Sequence, residues 1–468
     1  MTLYDMLIDG KLVSTEDRLE VINPATGAAF ADCSVANQSL LDQAVQAAKK
    51  AQKPWAKLNW AKRGGPLATL ASRVEARLED FARLLVQEQG KPIADARGET
   101  QLVVDFLRYY ATATLSVEKV SDNATTSVEV HHKPLGVVAA ICPWNFPLLI
   151  AAYKMAPAVL TGNSVIIKPA ATTPLTTLLL GELAADLFPA GVVNVIVDRN
   201  DLGAALSQHP DVAKVTFTGS TATGKKVMEA ASSTLKRITL ELGGNDAAII
   251  LDDADINQVS EKIFDAAFNL SGQVCTAVKR VYVPSKSYDA VCNRLAEIAN
   301  TVKIGSGLDE DTKIGPVQNQ MQVDKIKGFL DVAKRDGKVI AGGDLVDAQG
   351  YFIQPTVVRD IDPKSQLVED EQFGPVLPVL AYDDLDEVIS TVNDSDYGLG
   401  SSVWGADTTK ASEVALMLEA GSIWVNRHGY IAPEAPFAGA KQSGIGIEMG
   451  VDGLKEFTQM QLLVVEKG

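Results

Sequence analysis

The stretch GVVAAICPWNFPLLIAAYKMAPAVL, Gly136 to Leu160, decides the fold. The apolar run from Leu135 to Tyr153 is long enough to suggest a membrane span. Pro143, Asn145 and Pro147 interrupt its middle and favour a different division. GVVAAIC then reads as a buried strand, PWNFP as a loop and LLIAAYKMAPAVL as a buried helix.

Working outward, strand-like and helical runs alternate. SVIIKP (Ser164 to Pro169) is followed by the helix PLTTLLLGELAADLF, then VVNVIV (Val192 to Val197) and a helix around DLGAALSQH. KVTFTG (Lys214 to Gly219), the helix TATGKKVMEAAS and RITLELGG complete the series. Short strands without polar alternation, separated by helices, predict an α/β fold with a parallel sheet covered on both faces. Such sheets bind nucleotides at the carboxyl ends of their strands. A second α/β segment follows, with helices after DDADI, around YDAVCNRLAEIA and near LDEVISTVND, and a strand KVIAGG. TTSVEVHHKPLG and the tail FTQMQLLVVEKG read as strands that need covering, for which a subunit contact is one solution.

A chain of 468 residues implies two or three domains. Its 46% hydrophobic and 22% charged residues are ordinary for a globular protein. The formal net charge of -16 argues against nucleic acid or an anionic membrane as partner. The four cysteines, Cys33, Cys142, Cys275 and Cys292, are scattered, and the N-terminus has no signal-peptide pattern. Both points favour a reducing cytoplasm. The four histidines show no metal-ligand spacing, so no metal is expected.

Several motifs carry possible chemistry. FTGSTATGKK (Phe217 to Lys226) nearly matches a phosphate-cradling loop, but Lys226 stands where Ser or Thr would hold magnesium, which disfavours a kinase. A Gly-Ser turn before a helix remains, suited to an anion. SGIGIEMG (Ser443 to Gly450) contains a GxG that follows no strand of the series and reads as a packing turn. The G-x-G-x-x-G fingerprint is absent. ELGGND places Glu241 at a strand end before two glycines, where a carboxylate can serve as base or as a surface cap. Asn145 in PWNFP is a rigid amide able to donate to an oxyanion, or a satisfied loop residue. Cys275 in SGQVCT is a nucleophile or a small buried hydrophobe; Lys279 and Arg280 beyond it continue into a strand.

Together and in this order, PWNFP, GNSVIIKPA, FTGST, ELGGN, GQVC, EQFGPV, YGLGSSVW and PFAGAKQSGIG closely resemble the aldehyde dehydrogenase superfamily, over nearly the whole chain from VINPATG at Val21 to the tail strand. The resemblance implies a Rossmann-like cofactor domain (1-118 and 137-243), an α/β catalytic domain (244-443) and a small β bridging element (119-136 and 444-468) used in homodimers or homotetramers. It implies that Cys275 attacks an aldehyde, forming a thiohemiacetal and then a thioester. Asn145 and the backbone N–H of Cys275 hold the oxyanion, Glu241 activates water, and Lys154 lies close by. NAD or NADP is the implied cofactor, bound by Cys142, Pro143, Trp144, Lys168, Ala170, Ala171, Thr218, Gly219, Ser220, Leu242, Gly243, Glu371 and Phe373. The substrate side is implied at Phe146, Tyr153, Asn269, Val274, Thr276, Ile431 and Phe437.

Two features particularise the chain. Many NAD-preferring relatives read K-P-x-E, whereas KPAA puts Ala171 at the place of the ribose-binding Glu, which predicts that NADP is accepted. The substrate positions mix aromatic and aliphatic residues and lack a basic cluster, although Arg427 is a candidate. They predict a neutral aliphatic (medium or long chain) or aromatic aldehyde, with a semialdehyde second. A CoA-acylating relative is disfavoured by Glu241, and a noncatalytic scaffold by the retention of both Cys275 and Glu241.

Overall fold

The computed structural model describes residues 2–346 and 349–467. The deciding stretch divides as expected. Val137–Ile141 is a strand with all five residues buried, and Pro147–Leu160 is a helix buried on every face. Pro147 opens that helix, where its missing N–H costs nothing. Among the described residues no helix is long and apolar enough to cross a membrane.

The strand belongs to an eight-stranded sheet in the order Gly444–Ile445, Arg237–Glu241, Val212–Thr218, Val137–Ile141, Ser164–Lys168, Val193–Val195, Met6–Ile8, Lys11–Val13. The pairings among the five strands from Arg237–Glu241 to Val193–Val195 are parallel, and the outer ones antiparallel. The carboxyl ends of four of them deliver Cys142, Lys168, Thr218 and Glu241 to one edge. This α/β architecture has its polar cargo at strand ends because the strand interiors are apolar and buried on both faces.

A seven-stranded sheet lies beyond: Lys338–Ala341, Thr356–Arg359, Val376–Tyr382, Val278–Pro284, Asp246–Ile250, Gly400–Trp404 and Ser422–Val425. Only the first pairing is antiparallel. Only four residues, Leu242 to Asn245, separate Arg237–Glu241 of the first sheet from Asp246–Ile250 of the second, so Glu241 and the second sheet cannot separate far. A third sheet is antiparallel: Glu118–Asp122, Thr126–Pro134 and Thr458–Glu466. Its last strand exposes Met460, Leu462, Leu463, Val464 and Val465 in succession.

The SGIGIEMG segment is more than a packing turn. Gly444–Ile445 pairs with the edge strand Arg237–Glu241, and Glu448 enters the interior. Nothing in its local pattern distinguishes it, because both partners come from distant parts of the chain.

Candidate active site

The two larger sheets face each other across a cavity of about 590 Å3. From the first sheet it is lined by Cys142, Pro143, Trp144 and Asn145, by Lys168 and Ala170, and by Thr218, Gly219 and Ser220. Leu242 and Gly243 come from the connector, and Cys275, Glu371 and Phe373 from the second half. Ala171 is buried but lies outside this lining. Lys226 lines it too.

The Gly-Ser turn behaves as helix chemistry requires. Ser220 caps the helix Thr221–Ser232, accepting from the N–H of Thr223, and the helix N-terminus faces the cavity. A Cβ on Gly219 would lie 2.5 Å from the Phe217 ring. A Cβ on Gly243 would lie 2.5 Å from a Glu371 carboxylate oxygen, and one on Gly244 2.5 Å from the carbonyl oxygen of Cys275. The paired glycines of ELGGN therefore let two other segments touch the connector backbone. Glu371 accepts from the Gly244 N–H at 2.9 Å, and Trp144 meets Phe373 edge to face at 5.4 Å.

Lys168 is not a free cation. Its Nζ lies 2.8 Å from Oδ1 of buried Asp198, whose Oδ2 accepts from the N–H of Leu202.

Cys275 sits in a turn closed by the Ala277 N–H donating to the Val274 carbonyl at 3.1 Å. The chain enters this turn through Leu270, Ser271 and Gly272, all with φ between 50° and 71°. Two of these are not glycine, so the backbone here is strained and held by its surroundings. Ser271 donates to the Gly315 carbonyl at 2.6 Å, and Gln273 donates to the Leu270 carbonyl at 2.7 Å. Burial, then the carboxyl groups of Asp246, Glu371 and Glu241, push the Cys275 thiol up to about 12, opposed by the Lys279 cation. Lys279 is itself fully buried, its Nζ donating to the Gly272 carbonyl at 2.6 Å. It thus belongs to the surroundings of Cys275, which its place at the start of a strand did not reveal.

Asn145 is 4% exposed, and its Nδ2 donates to the Gln273 carbonyl at 3.0 Å. An amide nitrogen has two hydrogens, so one remains for another acceptor. Buried Lys91 donates to the Asn145 carbonyl at 3.0 Å and pairs with Glu99, which accepts from the Leu149 N–H. PWNFP is therefore clamped from behind by two residues that carry no motif of their own.

Glu241 is buried, and neither carboxylate oxygen has a hydrogen-bond partner. Burial, reinforced by Glu448, raises its pKa well above the usual carboxyl range, while Lys154 opposes the shift. Lys154 does not point at the thiol as a free amine. Its Nζ lies 2.6 Å from Glu448 and 2.7 Å from Thr216 Oγ1, a closed buried group. The sequence marked Lys154 as a lysine on an apolar helix but gave no sign of Glu448.

The substrate-side positions do not line the cofactor-sized cavity. Tyr153 and Phe437 are buried in the apolar cluster on which Phe146, Ile431 and Cys275 pack. Val274 and Thr276 flank Cys275; Thr276 is buried, and Asn269 is exposed at the end of the helix Ile256–Phe268. Arg427 is exposed, its guanidinium 4.7 Å from the Tyr430 ring. All four cysteines are free thiols, and no cluster of metal-ligating side chains exists among the described residues.

Known proteins resemble this chain over nearly its whole length. Aldehyde dehydrogenase LUC3 from Fusarium sp is 38% identical over 469 residues, spanning 100% of this chain and 99% of that relative. The NAD+ complex of aldehyde dehydrogenase from Bacillus cereus superposes with a TM-score of 0.96 at 37% identity, covering 99% of this chain and 96% of that one. Lactaldehyde dehydrogenase from Escherichia coli gives a TM-score of 0.96 at 34% identity, covering 99% of each chain. Residues 12–463 match the profile of the Aldehyde dehydrogenase family, and the chain belongs to that family.

Proposed function

We propose that this aldehyde dehydrogenase oxidises a neutral aliphatic or aromatic aldehyde to its carboxylic acid, with Cys275 as nucleophile and Glu241 as the base that activates water. The observation that carries this reading is that the Cys275 thiol and the Asn145 amide line one cavity between two sheets, with the partnerless Glu241 carboxyl close enough to push that thiol up.

The cavity fits a nicotinamide dinucleotide. The helix N-terminus at Ser220 suits a pyrophosphate, and glycines at 219 and 243 keep the cradle open where a Cβ would fill it. Lys168 and Glu371 would hold the two riboses, with Trp144 and Phe373 beside the nicotinamide end. When bound, the cofactor supplies the acceptor for the hydride leaving the substrate carbon. In the protein's own steps, the Cys275 thiol gives its proton to water, its sulfur bonds to the carbonyl carbon, and the C=O π pair moves onto the oxygen. The second Asn145 N–H and the Cys275 N–H carry the oxyanion. After oxidation the acyl group is held as a thioester on Cys275. Glu241 takes a proton from water, the hydroxide adds to the thioester carbon, and the thiolate leaves as the acid forms. Burial that raises the proton affinity of the Glu241 carboxyl makes its carboxylate a stronger base for this work.

NADP+ is accepted beside NAD+ in this reading, because Ala171 removes a carboxylate that would repel a 2′-phosphate. The exposed apolar strand Thr458–Glu466 supports a homodimer or homotetramer, with a partner covering it. Two features support a neutral aldehyde: Phe146, Ile431, Phe437 and Tyr153 belong to or pack on the same apolar cluster as Cys275, and Arg427 is exposed. The test is turnover of hexanal, decanal, benzaldehyde and succinate semialdehyde with each cofactor. Wild type should reduce cofactor with a neutral aldehyde, and Cys275→Ala should lose at least about 10^4-fold in kcat. Turnover by Cys275→Ala, or a best substrate bearing a carboxylate, would overturn the corresponding part.

A further inference from the structure

His428 is one of four histidines in the chain and carries no motif. The tertiary structure brings it from the segment after the strand Ser422–Val425 onto the turn that holds Cys275. Its Nε2 lies 2.6 Å from the carbonyl oxygen of Thr276, the residue after the nucleophile. A carbonyl only accepts, so Nε2 bears the hydrogen. Nδ1 lies 2.9 Å from Ser402 Oγ. Ser402 Oγ already accepts from the Trp404 indole N–H at 2.9 Å, which leaves the hydroxyl hydrogen for Nδ1. The chain Trp404, Ser402, His428, Thr276 is thus complete, each donor with one acceptor.

The imidazole is otherwise enclosed. Its side chain is 2% exposed, its ring centroid lies 4.8 Å from that of Trp424, and its Nε2 lies 3.5 Å from Oδ2 of buried Asp246. That oxygen has no other partner. Asp246 Oδ1 accepts from the Gly400 N–H at 3.1 Å. Strands Asp246–Ile250, Gly400–Trp404 and Ser422–Val425 therefore each present a group to the ring. The turn on which the ring acts is the one entered through two non-glycine residues of positive φ. Strained backbone keeps its shape only while its neighbours over-determine it.

We propose that His428 is a positioning residue for the nucleophile, its Nε2–H fixing the Thr276 carbonyl and so the aim of the Cys275 thiol and backbone N–H. The inference rests on the reading of Cys275 as nucleophile. The same side chain anchors the segment leading to Ile431 and Phe437, so it couples the substrate side to the reacting turn. Glutamine keeps a side-chain donor there, and alanine removes it.

The test compares wild type, His428→Ala and His428→Gln. Three quantities are measured: steady-state kcat and KM, the iodoacetamide inactivation rate with the modified cysteine mapped by mass spectrometry, and the thermal midpoint. His428→Ala should lower kcat about 10- to 100-fold and slow modification of Cys275 about tenfold, with the KM for NAD+ within about twofold of wild type. His428→Gln should recover about tenfold of the lost kcat. If His428→Ala matches wild type in kcat and modification rate, the positioning role falls while the nucleophile stands. Equal losses in both variants overturn it too, since packing rather than the donor would then be at work. If modification of Cys275 leaves wild type active, the nucleophile reading falls and this inference with it.

Discussion

The wall that faces the cofactor cavity and the turn that carries Cys275 lie side by side yet are built on opposite terms. On the wall Lys168 is paired with Asp198, and Glu371 accepts from the Gly244 N–H. The Gly-Ser turn is a regular helix cap. On the turn, Leu270 and Ser271 hold positive φ, the thiol is pushed up to about 12, and Glu241 has no partner at all. A surface that only binds can be satisfied in advance. A surface that reacts keeps groups whose partners arrive with the substrate, and the surrounding packing holds them there.

The sharpest way to break this contrast is at Glu241. Glu241→Gln should lower kcat about 10^3-fold while a first burst of reduced cofactor survives, since the thioester forms but is not hydrolysed. A lost burst would move Glu241 to the earlier step. Stability should change in the opposite sense. The folded carboxyl keeps its proton to higher pH than the unfolded one, so as pH rises the unfolded state loses its proton first and wild-type stability falls. Denaturation midpoints should therefore favour Glu241→Gln increasingly as pH rises above the ordinary carboxyl range. A constant difference would show that the buried carboxyl is not the source.

Asn145 sits where the two regions meet, on the cavity wall and bonded to the Gln273 carbonyl. Asn145→Ala should cost about 10^2-fold in kcat with little change in the KM for cofactor. A comparable rise in that KM would assign Asn145 to the wall instead. The smallest effect is expected on the wall itself. Asp198→Asn keeps an acceptor for the Leu202 N–H but frees the Lys168 charge, and should raise kcat/KM for NADP+ relative to NAD+ about tenfold. An unchanged ratio would mean that this ion pair is not felt at the 2′ position.

Much of the fold was legible because its signals are local. Val137–Ile141 and Pro147–Leu160 follow from apolar runs punctuated by proline, and the tail strand from its composition. Cys275, Asn145 and Glu241 were marked by short motifs whose order resembles a family. The supporting residues were not legible. Lys91, Asp198 and His428 stand in stretches without pattern, and Asp246 and Glu448 lie in ELGGND and SGIGIEMG with no local sign of their partners, each acting on a residue distant in sequence. Lys279 was in view but passed for the start of a strand.

The sequence by itself determined the α/β periodicity, the absence of metal-ligand spacing and the three residues on which the proposed chemistry turns, because hydrophobic period and motif are properties of neighbouring residues. The tertiary structure alone decided that Lys154 is tied to Glu448, that Lys168 is neutralised by Asp198 and that the His428 imidazole grips the turn after Cys275. Those pairings arise where strands distant in the chain end at a common edge, and there burial makes an unpaired charge or donor costly enough to select its partner.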